Sequence, residues 1–313
     1  KDKGWVVKVT SDGSIIPWAS GFRANNGIGM SPSGDLWVTD NQGDWRGTSP
    51  IYHVEKGHFY GHPSSLVWDA SFFPKNGDPL EFGVDRLNQL RTPAAIQLPH
   101  GLVCNSPSEP VFDATNGKFG PFKGQMMVGD IAGQRIIRVM PEKVRGVYQG
   151  ACAFLIENSG LRGGNNRLTF SPEGNALYVG QTYRGWGAPA EGLQRIVWTG
   201  VTPLEVQQMS LTPSGFDLTF TKPLDANAAN DPDRYQIQSY RYSYGHKYGS
   251  PQLDRKVHFS KRVNVSEDKF TVSLKLDQVE AGKVYQIDLV NLFSSDGLPI
   301  INPMVCYTVN QLR

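Results

Sequence analysis

The chain has 313 residues and a mass of 34.6 kDa, a length at which two domains are the starting expectation. Its 31 basic and 29 acidic residues give a net charge of +2 with neither sign clustered. This balance argues against a nucleic-acid groove and against a polybasic membrane patch. No stretch approaches the roughly 18 consecutive apolar residues of a membrane helix, so no membrane span is predicted.

The composition predicts short strands joined by turns. The chain contains 34 glycines and 21 prolines, and aromatic residues make up 11% while charged residues make up only 19%. No helical periodicity competes with the apolar, β-branched and aromatic runs, which predict an all-β protein. In the first 200 residues the strand candidates are Trp5–Val9, Ile15–Ala19, Ile51–Val54, Gln125–Gly129, Arg135–Val139, Ala151–Ile156 and Arg195–Trp198.

Two segments, 25–45 and 165–186, repeat each other. Each begins with Asn-Asn, continues through a Ser-Pro-x-Gly turn and ends with a strand and a Trp, which is Trp45 in the first and Trp186 in the second. A strand, a Pro-Gly turn and a second strand predict a hairpin in each unit. Paired units of this kind indicate propeller blades.

The predicted propeller covers residues 1–203, with an inserted loop at about 58–98. Its strands are too few for a closed ring of four or more blades, so we expect amino-terminal blades, or a partner chain, to complete it. The first residue is Lys1 rather than Met and no apolar signal region precedes the strands, which predicts a longer gene product.

Residues 204–313 differ from the first 200 residues in their hydrophobic pattern. Apolar and polar positions alternate cleanly at 216–220, 272–276 and 284–289, which predicts a β-sandwich. The Asp- and Asn-rich segment 225–233 predicts one short helical turn. Tyrosines crowd residues 235–248, and they predict either a sugar-stacking surface or a hairpin packed by its own aromatics or against the propeller.

The cysteines Cys104, Cys152 and Cys306 are far apart and form no C-x-x-C or C-x-x-C-H motif. Neither a zinc knuckle nor a covalent haem site is therefore encoded in this chain. At most one disulfide is possible. The pair Cys104–Cys152 is the favoured disulfide, and buried free thiols are the alternative.

The loops that lead into the inner strands form the mouth of a propeller, where ligands bind. Asn26 and the acidic loop with Asp40 and Asp44 offer oxygen ligands for calcium or hydrogen bonds for sugar hydroxyls. Turn capping is the structural alternative for both. Three histidines, His53, His62 and His100, are candidate bases for a substrate hydroxyl, because the ordinary pKa of His lies near neutrality.

The succession Arg23–Gly29, Gly34–Gly43 and Gly57–Pro63 resembles the soluble quinoprotein glucose and sorbosone dehydrogenases. That resemblance implies a six-bladed propeller, a pyrroloquinoline quinone (PQQ) and calcium over the channel, and Arg23, Asn26 and Gly43 as cofactor-side positions. The family motif is changed here at Ala24, Asn25, Asn26 and His62, and the family's catalytic histidine lies in an earlier blade.

Four further stretches, Gly120–Gln125, Gly180–Gly187, Gly192–Arg195 and Gly215–Pro223, resemble large secreted dehydrogenase-like propeller proteins of planctomycete-type bacteria. This resemblance implies a periplasmic, secreted or cell-surface location, an Ig-like C-terminal module and a c-type cytochrome as electron partner. It also adds Gln181 and Arg184 as cofactor-side positions.

Three functions follow as hypotheses. The first is a sugar or alcohol dehydrogenase-like propeller that passes electrons to a quinone or a partner haem. The second is a non-catalytic scaffold or glycan-binding component of a cell-surface assembly. The third rests on a resemblance to gluconolactonases and is a calcium-dependent lactone hydrolase with Asn26 as a ligand and Asp40 near the metal.

Overall fold

The computed structural model describes residues 3–185 and 190–313. Trp186 and Gly187, which the sequence analysis placed in a repeat and in a family signature, lie outside the described residues. None of the helices in the described ranges is long and apolar enough to cross a membrane. The protein is all-β, as predicted, with antiparallel sheets arranged as propeller blades followed by a β-sandwich.

The propeller part begins with a two-stranded ribbon, followed by two four-stranded blades and one of three described strands. The ribbon is β1 (Trp5–Val9) and β2 (Ile15–Ser20). The first four-stranded blade is β3 (Gly27–Met30), β4 (Leu36–Thr39), β5 (Ser49–Val54) and β6 (Ile96–Leu98). The second is β7 (Pro107–Phe112), β8 (Met126–Asp130), β9 (Arg135–Val144) and β10 (Val147–Glu157), and the third is β11 (Asn165–Phe170), β12 (Ala176–Gln181) and β13 (Gly192–Val197).

The two repeated units form the same hairpin. Gly34 donates its N–H to the Ser31 carbonyl and Gly174 donates its own to the Ser171 carbonyl, both at 2.9 Å. The two glycines have φ of +90° and +82°, a left-handed conformation that side chains resist. The Ser-Pro-x-Gly spacing therefore determines the turn locally, as the sequence predicts.

The insertion between β5 and β6 is partly helical, whereas the sequence predicts an inserted loop at about 58–98. It contains α1 (Phe73–Asn76) and α2 (Val84–Leu90), together with short 3-10 helices at Pro63–Trp68 and Pro79–Glu81. These helices are too short for a clear 3.6-residue period, which explains why the pattern did not show them. Leu87 anchors the segment because its side chain is fully buried.

Eight strands build the carboxy-terminal sandwich, with α3 (Ala226–Asn230) and a 3-10 helix (Pro232–Arg234) where a helical turn was predicted. They are β14 (Val206–Thr212), β15 (Gly215–Phe220), β16 (Tyr235–Arg241), β17 (Leu253–His258), β18 (Arg262–Val265), β19 (Thr271–Lys275), β20 (Lys283–Leu289) and β21 (Met304–Val309). One sheet has the order β14-β15-β19-β18, and the other continues β17-β16-β20-β21 into the propeller. The assignment as Ig-like stays a prediction.

The sandwich and the second four-stranded blade share one sheet. β21 pairs with β10 over four residues, so that β17-β16-β20-β21 and β10-β9-β8-β7 form an eight-stranded sheet. Met140, Ala151 and Ala153 of the blade belong to the hydrophobic core of the sandwich. This seam between β10 and β21 joins the two parts through backbone hydrogen bonds and a common core. The division into residues 1–203 and 204–313 stays a prediction.

The favoured disulfide between Cys104 and Cys152 is not formed, and all three cysteines are free and buried. Instead, Cys152 lies directly opposite Cys306 across the seam. Burial raises the pKa of the Cys104 thiol, which keeps it protonated and unreactive. The alternative of buried free thiols is therefore correct.

Candidate functional site

One Asn of each repeated pair meets the other at one end of the blades. Asn26 enters β3 and Asn166 lies in β11, and the Asn26 Nδ2 donates to the Asn166 Oδ1 at 2.8 Å. Arg167 also donates to the Asn166 Oδ1, at 2.9 Å. The amide groups of this pair thus bind each other and a neighbouring cation, which joins the first and third blades at the inner strands.

Asp40 is a buried structural carboxylate. It follows β4, its exposure is 0%, and its two oxygens accept hydrogen bonds from the backbone N–H groups of Arg23 and Ala24, each at 2.8 Å. It also accepts from the Asn41 N–H at 2.8 Å and from the Arg46 Nε at 3.0 Å. A carboxylate offers about four lone-pair sites, so Asp40 keeps none for a metal ion.

A buried carboxylate that accepts hydrogen bonds from two backbone N–H groups also occurs in the next blade. Asp130 is the last residue of β8, is fully buried, and accepts from the backbone N–H groups of Asn105 and Ser106, with Arg135 at 3.5 Å. In both four-stranded blades a carboxylate at the end of the second strand holds the loop that enters the inner strand. Gln181 takes this position in the third blade and donates to Asn165 and Gln194.

Asp44 differs from Asp40 because 44% of its side chain is exposed. Its Oδ1 accepts from the Arg23 Nε and its Oδ2 lies 3.0 Å from the His62 Nε2. Gly43 makes room for this arrangement, since a Cβ there would lie 2.1 Å from the Arg23 Cζ. Burial would raise the pKa of Asp44, but hydrogen bonds from Arg23 and His62 outweigh it and lower the pKa to about 2.

His62 is oriented by Asp44 on one side and Ser64 on the other. An ionised carboxylate only accepts hydrogen bonds, so the His62 Nε2 carries the proton that faces Asp44. The His62 Nδ1 is then the acceptor, 2.8 Å from the Ser64 Oγ. Burial lowers the pKa of His62 below its ordinary value of 6.5, although the hydrogen bond to Asp44 opposes this shift. His62 is a neutral base at pH 7.

The sandwich contributes an aromatic side chain to this place. Asp44 and Tyr248 form a β-bridge, and the Arg23 guanidinium lies 5.2 Å from the centre of the Tyr248 ring. Tyr248 is 72% exposed. Arg23, Asp44, His62, Ser64 and Tyr248 together are called the Asp44 site below.

The tyrosine-rich segment therefore packs against the propeller, which was one of its two predicted roles. Gly249 donates its N–H to the Gly43 carbonyl at 3.0 Å, and Ser250 donates to the Gly47 carbonyl at 2.9 Å. Tyr244 donates its hydroxyl to the Gly61 carbonyl at 2.6 Å. The Tyr244 ring is partly buried in this contact, whereas the Tyr248 ring is exposed and can face a ligand.

His53 and His100 do not join the Asp44 site. His53 lies at the opposite end of its blade, 3.2 Å from Asp35, and its ring packs 4.5 Å from that of Tyr148. His100 follows β6, and its backbone N–H donates a hydrogen bond to the Thr48 Oγ1 at 2.8 Å. Burial lowers the pKa of His100. Of the three candidate bases, the structure brings only His62 next to Asp44.

The predicted calcium ligands Asn26, Asp40 and Asp44 have separate partners within the chain. Among residues 3–185 and 190–313, no three His, Cys, Asp or Glu side chains come together as a metal-ion site. The Asp44 carboxylate is partly exposed, but its two oxygens already contact Arg23 and His62. The residues present do not fit the predicted ion, and calcium stays a prediction.

The predicted cofactor positions also fail to form one cradle. Arg23 is bound to Asp44 and covered by Tyr248, Asn26 is paired with Asn166, and Gln181 is buried behind Asn165 and Gln194. Arg184 is exposed on the loop after β12. These positions do not fit an anionic planar quinone as they are placed.

Two members of the Asp44 site, Ser64 and Tyr248, are not predicted from the sequence. Ser64 lies two residues after the candidate base His62. Tyr248 was noted only within a tyrosine cluster, because its contact with Arg23 spans more than two hundred residues. The His-x-Ser adjacency at 62–64 was the one local signal available.

Replacing Gly43 by Ala is expected to displace Arg23 from Asp44, because the added Cβ would overlap the guanidinium. The pKa of Asp44 should then rise from about 2 towards 3.8, which a carboxyl NMR titration measures. Gly83→Ala is the control, since its Cβ would meet no atom within 4 Å. An unchanged Asp44 titration in Gly43→Ala would show that Arg23 does not hold this carboxylate.

The fold and the Asp44 site define a propeller–sandwich protein with a histidine bound to an exposed carboxylate at a propeller loop. No sequence-family profile and no curated protein matches the chain. Among solved structures, it is similar to the PQQ-bound aldose sugar dehydrogenase of Streptomyces coelicolor, with 14% identity and a TM-score of 0.41 over 61% of this chain and 51% of that one.

Two further likenesses are weaker. A Thermus thermophilus protein assigned as an oxidoreductase (glucose dehydrogenase) has 21% identity and a TM-score of 0.38 over 57% of this chain and 47% of that one. The S-layer protein rSbsC has 24% identity and a TM-score of 0.29 over 36% of this chain and 14% of that one. The chain thus spans about half of each dehydrogenase and a small part of the S-layer protein. At these TM-scores the likenesses carry no conclusion about function.

Proposed function

We propose that the chain is part of a sugar-dehydrogenase-like propeller protein outside the bacterial cytoplasm, and that the Asp44 site binds a carbohydrate hydroxyl and removes its proton. The observation that carries this proposal is the neutral His62, whose Nε2 is held by Asp44 and whose Nδ1 faces a hydroxyl group. The Ser64 Oγ occupies the place that a substrate hydroxyl would take.

Each side chain has a role in this proton transfer. The substrate hydroxyl gives its proton to the His62 Nδ1, and the ionised Asp44 stabilises the imidazolium that forms. Arg23 keeps Asp44 ionised. The open ring of Tyr248 supplies an aromatic face, on which the C–H face of a pyranose can stack.

Oxidation of the alcohol to a carbonyl also removes the carbon-bound hydrogen with two electrons. These two electrons need an acceptor: a quinone would take both of them, whereas the haem of a c-type cytochrome would take one at a time. Both stay predictions. The extracytoplasmic location is likewise a proposal that rests on the sequence resemblance.

The experiment measures sugar-dependent reduction of an acceptor dye by the protein, with added quinone and calcium, across a panel of monosaccharides. His62→Gln is expected to lower the rate by about 10²–10⁴-fold, the usual contribution of a general base. The rate should fall as pH drops through the lowered pKa of His62, below 6.5, and reach a plateau above it.

His53→Gln is the matched control, because His53 is a half-buried histidine of the same blade that faces away from the Asp44 site. Equal rates for the His62 variant and the unchanged protein would contradict the proposal. Binding of sugars without any dye reduction would favour the non-catalytic glycan-binding hypothesis instead.

A second candidate is an ester or lactone hydrolase, and the 2.8 Å contact between the Ser64 Oγ and the His62 Nδ1 favours it. Here His62 would take the Ser64 proton so that the oxygen attacks a carbonyl carbon, with an alcohol as leaving group. Ser64→Ala distinguishes the two functions. It should abolish ester hydrolysis but leave sugar oxidation in place.

A further inference from the structure

A cleft of about 440 Å³ lies where the third blade meets the sandwich. Its walls are apolar and include Phe119, Phe122, Ile196, Trp198, Leu298 and Ile301. This junction cleft is separate from the Asp44 site, and none of its lining residues belongs to that site. Its volume is in the range of small-molecule pockets.

One carboxylate, that of Glu205, lines the junction cleft among the described residues. Glu205 is only 3% exposed. Its Oε1 accepts a hydrogen bond from the Asn302 Nδ2 at 2.6 Å, but its Oε2 has no hydrogen-bond partner in the part of the chain that the structure describes. A buried carboxylate oxygen without a partner is uncommon in folded proteins and calls for an explanation.

Arg138 matches the charge of Glu205 without satisfying this oxygen. Its Nη2 lies 3.5 Å from the Glu205 Oε2 and donates instead to the Val206 carbonyl at 3.0 Å. The Nη1 of Arg138 donates to Gln125 at 2.9 Å. The charge is thus balanced, and what Glu205 lacks is a hydrogen-bond donor rather than a cation.

We propose that the junction cleft binds a neutral, largely apolar molecule that carries a hydroxyl group, and that this hydroxyl donates to the Glu205 Oε2. The aliphatic or aromatic body of the ligand would cover the apolar walls. An ammonium group would add a second positive charge beside the buried Arg138, which disfavours amines. A carboxylate would face Glu205, which disfavours acids.

Burial is the largest influence on Glu205 and raises its pKa to about 7, while Arg138 and Asn302 act in the opposite direction. A protonated Glu205 would donate a hydrogen bond instead of accepting one. Binding is therefore measured well above pH 7, where Glu205 is ionised. There, only a ligand with a hydrogen-bond donor can supply the hydrogen bond that the Glu205 Oε2 lacks.

The test compares cyclohexylmethanol with its methyl ether, which has the same body but no hydroxyl hydrogen, by saturation-transfer NMR titration of the whole chain. The alcohol is expected to bind about tenfold more tightly, the effect of one net hydrogen bond to a charged group. Equal binding of alcohol and ether, tighter binding of cyclohexylmethylammonium, or no binding of the alcohol up to its solubility limit would each overturn the proposal.

Two variants place the binding in the cleft. In Glu205→Gln an amide can face the ligand as a donor, so the preference for alcohol over ether should disappear. Retained preference would overturn the role of Glu205. Ile301→Trp changes a rim position that is 62% exposed. It should block binding of the alcohol without contacting the Arg138–Glu205 pair. This variant still tests the location of the binding site if Glu205→Gln fails to fold. Glu173→Gln, at an exposed turn, is the control and should leave the preference unchanged.

Discussion

Replacing Asp40 by Ala is expected to lower the free energy of unfolding by about 3–5 kcal/mol. The change leaves the Arg46 guanidinium buried without its carboxylate, with side-chain exposure of only 3%. It also removes the acceptor of the backbone N–H groups of Arg23 and Ala24, which lie in the loop that enters the inner strand β3. Chemical denaturation, followed by tryptophan fluorescence, measures the loss.

Two comparisons make this test specific. Glu173→Ala removes an exposed carboxylate and should change the free energy of unfolding very little. Adding Arg46→Met to Asp40→Ala removes the unpaired charge and should recover part of the loss. If Asp40→Ala behaves like Glu173→Ala, the buried pair does not stabilise the blade, and a ligand role for Asp40 becomes open again.

Removing residues 204–313 is expected to abolish cooperative folding of the propeller part. The truncation uncovers β10, whose edge pairs with β21, and exposes Met140, Ala151 and Ala153, which belong to the sandwich core. It also leaves Arg138 buried without Glu205. An uncovered, apolar strand edge promotes aggregation.

Thermal unfolding by near-ultraviolet circular dichroism and amide hydrogen exchange measure this effect. The whole chain should unfold in one transition, whereas residues 1–203 alone should show none. Residues 204–313 alone serve as the comparison, because they keep all eight sandwich strands and lose only three core side chains. A sharp transition for residues 1–203 would establish that the two predicted domains are independent folding units.

Local chemistry in the sequence determined the strands and the turns. The apolar run Trp5–Val9 is a strand with the predicted bounds, and the paired Ser-Pro-x-Gly segments form matching hairpins. These features depend on neighbouring residues and on the two-residue period of a strand. Both can be recognised in a short segment of sequence.

The tertiary structure alone decided which polar groups are free to act. Asp40 and Asp44 stand four residues apart in one acidic loop, yet Asp40 is buried with four donors and Asp44 is open beside His62. Burial and long-range partners set this difference, and neither is encoded in spacing. The seam between β10 and β21 and the contact of Tyr248 with Arg23 could not be predicted either, because both join residues that are far apart in the chain.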